Sequence, residues 1–161
     1  MAAAAKIITA LEDFANQDPD GTAVSTVGSI SCLPGMSNVI ASSVVFSVDI
    51  RDVKESGIDD IVKKMRSRCS DVESSDNVSI DIELVGKSSC IVLSQKVADI
   101  IESTVMESTL PYRRMNSGAV HDAAMLASIT DVGMIFIPSV YGKSHCPEEY
   151  TSFEDISAGA G

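Results

Sequence analysis

Tryptophan is absent and aromatic residues make up only 4% of the 161 positions, so any core must be built from Val, Ile, Leu, Ala and Met. Basic residues are also scarce. Twelve Lys and Arg stand against 23 Asp and Glu, for a net charge of −11. No basic stripe is available to neutralise phosphates, which argues against a nucleic-acid partner. The densest basic stretch, Lys63-Lys64-Met65-Arg66-Ser67-Arg68, fits the wet face of one helix. No apolar run has the length needed to cross a membrane. The opening Met1-Ala-Ala-Ala-Ala-Lys6 lacks the basic-then-apolar layout of a secretion signal. The four cysteines, at 32, 69, 90 and 146, form no C-x-x-C pair and no zinc-ribbon spacing. Such scattered thiols read as reduced, which points to a cytoplasmic setting. P-loop, dinucleotide-binding and nucleophile-elbow motifs are all missing.

What is present is apolar enough to fold: 45% of residues are hydrophobic, which argues against disorder. Ile7, Ile8, Leu11, Phe14 and Ala15 recur at helical spacing and predict a helix over 3–16, broken by Asp18-Pro-Asp-Gly21. A Thr/Val/Ser-rich strand is expected over 22–32, followed by the loop Leu33-Pro-Gly-Met-Ser-Asn38. In 43–51, SVVFSVDIR, Val44, Phe46, Val48 and Ile50 point one way and Ser47, Asp49 and Arg51 the other, which predicts a strand. A helix over 57–69 and an alternating strand over 78–85 follow. The order αββαβ is one leading strand short of the split-βαβ sandwich.

The character then changes near residue 90. Helices are expected over 94–109, with Ser94 as N-cap, and over 118–128, opening at Gly118. The continuous apolar run VGMIFIP over 132–138 suits a strand buried on both faces. The end, Asp155 to Gly161, reads as the start of a helix with nothing after it.

Histidine is the scarcest chemically useful residue, with two copies. His145, in GKSHCPEE, follows the apolar run and a Gly-containing loop, where open α/β sheets carry functional groups. It fits a metal ligand or proton shuttle, or equally a loop histidine bonded to Glu148 or Glu149. His121, in SGAVHDA, sits where a helix is expected to begin, as an anion-side group or as a surface histidine capped by Asp122. Arg51 is placed to bind a carboxylate bidentately, or to pair with Asp49 or Asp52. Asn38 is most simply a turn residue.

Taken together, STVGSISCLPGMSNVIASSVVFSVDIRD, MNSGAVHDAAMLA and VGMIFIPSVYGKSHCPEEYTSFEDISAGA resemble the C-terminal half of the M20-type metallohydrolases. Within them the likeness is to the amidohydrolase branch: N-carbamoyl-L-amino acid, allantoate and ureidoglycolate amidohydrolases. The order of the motifs and the 13 residues from Asn38 to Arg51 carry it more than any single motif.

The resemblance implies an α/β fold. Residues 1–90 would form a ferredoxin-like split-βαβ lid and dimerisation domain lacking its first strand, and 91–161 the C-terminal part of a binuclear-metal hydrolase domain. It implies two divalent ions, zinc or manganese, a small N-carbamoyl or ureido acid substrate, and a homodimer formed through the lid. By the same resemblance His145 is a metal ligand. Arg51 binds the substrate carboxylate, and Asn38 holds substrate from the neighbouring subunit. His121 polarises the scissile carbonyl, with Ser117 and Gly118 lining its loop. The family's other metal ligands, its Glu-Glu pair and its lid histidine would precede residue 1, so the chain alone is expected to be inactive. The family's usual Asn-Val-Ile-Pro-Gly reads Asn38-Val-Ile-Ala41-Ser42 here, and Val120 stands in place of a glycine. An aminoacylase or peptidase relative, or a stand-alone dimerisation module, are the competing readings.

Overall fold

The computed structural model describes residues 1–160. Those residues form two compact units. The first is Met1–Ile91 with Asn116–Ala119, and the second is Val92–Met115 with Val120–Gly161.

In the first unit, α1 (Ala2–Asn16) buries Ala4, Ile7, Leu11 and Ala15. These fall at three- and four-residue steps and so share one stripe. Helix α2 (Glu55–Asp76) does the same with Ile61, Met65, Cys69 and Val72. The two stripes pack on each other, and Leu11 and Val72 are each only 1% exposed. Beneath them lies an antiparallel hairpin of β1 (Val24–Leu33) and β2 (Ser43–Arg51), which adds Val27, Phe46, Val48 and Ile50 to the core. Register runs from Val24 opposite Arg51 to Leu33 opposite Ser43, with a bulge between Thr26 and Ser29. The result is a two-layer α+β unit: helices on one face of a small sheet, as the sequence implied.

Helix α2 runs past the expected end at 69. Val72 continues the buried stripe through a polar stretch, and Asn77, left-handed at φ 52°, ends it. The expected strand over 78–85 does not form. Its alternation is real: Ile80 and Ile82 pack on the core while Ser79, Asp81 and Glu83 face outward. Alternation, however, fixes only which face a residue takes. A strand also needs a pairing partner, and the one sheet of the described residues holds only β1 and β2. The Ile80 N–H is instead taken by the Glu73 carboxylate at 2.7 Å.

In the second unit, α3 spans Gln95–Glu107, α4 Asp122–Leu126 and α5 Phe153–Ala160. Ser94 caps α3 by position, without a side-chain bond to the helix. Helix α4 is shorter than the expected 118–128, because Ser117-Gly118-Ala119 folds into a turn of its own. The C-terminal stretch does become helical as α5, and Gly161 lies outside the described residues. The apolar run 132–138 is no strand either. Ser94 N–H donates to the Val132 carbonyl at 3.0 Å, and Gly133 lies so close to Val97 that a Cβ there would meet it at 2.5 Å. Ile135 and Phe136 remain 52% and 45% exposed, not buried on both faces. None of the described residues of this unit is fully buried. No helix among the described residues is long and apolar enough to cross a membrane.

Candidate functional site

Strand β2 delivers Arg51 to the end of the hairpin. The alternation that buries Ile50 turns Arg51 outward beside Asp49, its neighbour on the same face. Arg51 Nε donates to Asp49 Oδ1 at 2.8 Å and Nη2 to Oδ2 at 3.0 Å. The third nitrogen, Nη1, donates to the Gly118 carbonyl at 2.9 Å. The hydrogen bonds from Arg51 hold the Asp49 carboxyl below its ordinary range, and Asp49 in turn raises Arg51. Of the two acids the sequence offered as partners, Arg51 takes Asp49. Asp52 instead anchors the chain behind it. It accepts from the Thr22 hydroxyl at 2.7 Å and from Lys54 N–H at 3.3 Å, and its carbonyl accepts from the Cys90 thiol. The end of β2 is thus fixed to the loop after α1 and to the start of α2.

Ser117 and Gly118 stand in a tight turn. Ser117 Oγ donates to the Ala119 carbonyl at 3.1 Å and accepts from Ala119 N–H at 3.2 Å. The Arg51–Gly118 bond joins two motifs 67 residues apart. Nothing in the spacing of the sequence signals it, because a backbone carbonyl carries no residue identity.

Asn38 lies in the exposed turn between β1 and β2, where Ser42 N–H closes the loop on the Leu33 carbonyl at 2.8 Å. It is therefore at the opposite end of the hairpin from Arg51. The eight residue steps from Ser43 to Arg51 put roughly 25 Å between the two ends. One small ligand cannot touch both residues of the same chain.

In the second unit, His121 is the N-cap of α4 and half-buried, its ring edge-on to Phe136 at 5.7 Å between centroids. With five residues, α4 is too short to offer an anion site at its N-terminus. His145 is exposed, with φ 58°, a left-handed conformation that a side chain with a Cβ seldom adopts. Glu149 holds it there by accepting from its backbone N–H at 2.7 Å. The loop before it is pinned by Ser139, whose hydroxyl donates to the Lys143 carbonyl at 2.5 Å, and by Val140 N–H on the Tyr150 carbonyl at 2.9 Å. The expected link between His145 and the acids that follow does form, but through the backbone. Strained backbone of this kind persists where the surroundings over-determine it, often at functional positions.

Among the described residues no three of His, Cys, Asp or Glu converge to hold a metal ion. A surface depression of about 570 Å³ runs along α3, lined by Lys96, Asp99, Ile100, Ser103, Thr104 and Glu107. It includes none of the expected site residues and is an open helix face.

Residues 4–161 match peptidase family M20/M25/M40. The chain is 33% identical over 156 residues to an N-carbamoyl-L-amino-acid amidohydrolase of Paenarthrobacter aurescens, covering 97% of this chain and 38% of that protein. It is 31% identical to a ureidoglycolate hydrolase of Arabidopsis thaliana, covering 98% of this chain and 33% of that one. A crystal structure of a hydantoinase/carbamoylase family amidase from Burkholderia multivorans has the same fold at TM-score 0.93 and 24% identity, covering 99% of this chain and 38% of that one. The chain thus spans between a third and two-fifths of the length of these relatives.

Proposed function

The chain belongs to peptidase family M20/M25/M40, and from that premise we infer that it is part of a metal-dependent amidohydrolase. The reaction is cleavage of a linear C–N amide bond in an N-carbamoyl amino acid, allantoate or a related ureido acid. Residues 1–90 act as the lid and dimerisation domain, and residues 91–161 as part of the catalytic domain.

The observation that carries the reading is the seat of Arg51. A guanidinium has five N–H donors, and three of those of Arg51 are engaged by Asp49 and Gly118. One donor remains on each of Nη1 and Nη2, at the end of a strand whose backbone is anchored through Asp52. That pair suits a carboxylate, the group that every one of these substrates carries. Asn38 supports the dimer. It is too far along the hairpin to reach a ligand on its own Arg51, so its contact is with substrate on a second copy.

Ser117 and Gly118 belong to the substrate-binding set, and the role of His121 is to polarise the scissile carbonyl. His145 is the one metal ligand this chain supplies. A catalytic metal needs about three protein ligands, and two metals need more. Among the described residues no set of donors completes a zinc or manganese centre, and a metal bound with the help of His145 would polarise the amide carbonyl and activate water. The chain on its own does not turn over substrate.

Calorimetric titration of the purified chain tests the reading. N-carbamoylglycine should bind and N-ethylurea, which lacks the carboxylate, should not, with binding lost in Arg51→Ala. Equal binding of both, or binding that survives Arg51→Ala, overturns it.

A further inference from the structure

Asp49 has no part in the function proposed above, yet it takes two of the three hydrogen bonds that Arg51 donates. Exposed ion pairs between neighbours on one strand face are common and usually of little consequence. Three features set this one apart. The contact is bidentate, at 2.8 and 3.0 Å. It engages one particular edge of the guanidinium, the edge formed by Nε and Nη2. The opposite nitrogen, Nη1, is held at the same time by a carbonyl 67 residues away. A long side chain with many rotamers is thereby fixed at both sides before any ligand arrives. An arginine already ordered in this way loses less freedom when it binds an anion.

We propose that Asp49 is a positioning residue for Arg51: by filling the Nε–Nη2 edge it leaves the Nη1–Nη2 end as the edge that reads a substrate carboxylate. The proposal rests on the reading of Arg51 as the carboxylate clamp. Asp49 also moderates the positive charge of the site. Anions without the right planar, two-oxygen geometry therefore gain little from charge alone. The raised Arg51 and lowered Asp49 agree with a pair that stays charged across the working range.

The test is side-chain nitrogen NMR of the full 161-residue chain during titration with N-carbamoylglycine. In the wild type, the Arg51 Nη signals should move while the Nε–H signal, shielded by Asp49, stays in place and exchanges slowly with water. Asp49→Ala should speed Nε–H exchange and weaken binding about tenfold, the equivalent of one charge-assisted hydrogen bond. Asp49→Glu should restore part of both. Because Asp49 is exposed, neither variant threatens the core, and unchanged backbone spectra confirm this. A wild-type Nε signal that moves with ligand, or an Asp49→Ala variant that binds equally or more tightly, makes Asp49 a competitor and overturns the proposal alone. Absence of wild-type binding overturns the Arg51 reading and this proposal with it.

Discussion

Lys6 donates to both carboxylate oxygens of Asp76, at 2.6 and 2.8 Å, and so ties the start of α1 to the end of α2. The bonds from Lys6 and then from Ser75 hold the Asp76 carboxyl below its ordinary range. A carboxyl depressed in the folded state contributes stability that is present above its unfolded pKa, about 3.9, and is lost as pH falls through the folded value. Asp76→Asn should therefore lower the urea midpoint at pH 7, and the gap between variant and wild type should close as pH drops below about 4. Comparing the two proteins removes the background change from a chain of net charge −11. A gap that widens on acidification contradicts the assignment.

The core sits between α1 and α2, and its cost is testable at Leu11. Leu11→Ala should destabilise the chain by about 3 kcal/mol through lost burial and the cavity left behind. Phe153, 81% exposed on α5, should change stability by less than about 0.5 kcal/mol when replaced by Ala. Urea unfolding of both variants checks this.

His145 is strained by its positive φ. His145→Gly should leave the thermal midpoint unchanged or raise it, since glycine adopts that region freely. His145→Val should lower stability by about 1–2 kcal/mol, because a β-branched side chain fits it worst. A His145→Gly variant that melts well below the wild type would show that the imidazole stabilises the fold.

Burial is concentrated in the first unit, and dynamics should follow. Amides of α1 and α2 should exchange with solvent most slowly, and those of α3, α4 and α5 faster, because none of these three helices has a buried residue. Exposed Met125, Ile129, Tyr141 and Phe153 should also make the chain bind a hydrophobic dye such as ANS. Uniform protection across both units would contradict this distribution.

Where one residue's environment decides its place, the sequence was legible. The alternation in SVVFSVDIR placed β2 at 43–51 and turned Arg51 outward, and the stripe of Ile7 and Leu11 placed α1. What depended on a partner was not legible. The alternation of 78–85 assigned Ile80 and Ile82 to the core correctly but could not supply a neighbouring strand. The apolar run 132–138 looked like a central strand, whereas it lies against α3 as a loop and stays half-exposed. The same limit applies to the site. Asp49 was visible as a partner two residues from Arg51, while the Gly118 carbonyl was not. The left-handed backbone of His145 had no signal either, since its sequence neighbours do not require it.

We propose that this chain carries the carboxylate clamp and one metal ligand of an amidohydrolase site and does not perform the chemistry with its own residues. The most direct measurement is ammonia release from an N-carbamoyl-L-amino acid by the purified chain in the presence of Zn²⁺ or Mn²⁺. No release above the metal-only blank is expected. Saturable, metal-dependent release abolished by Arg51→Ala would contradict it and show that these 161 residues assemble a working centre by themselves.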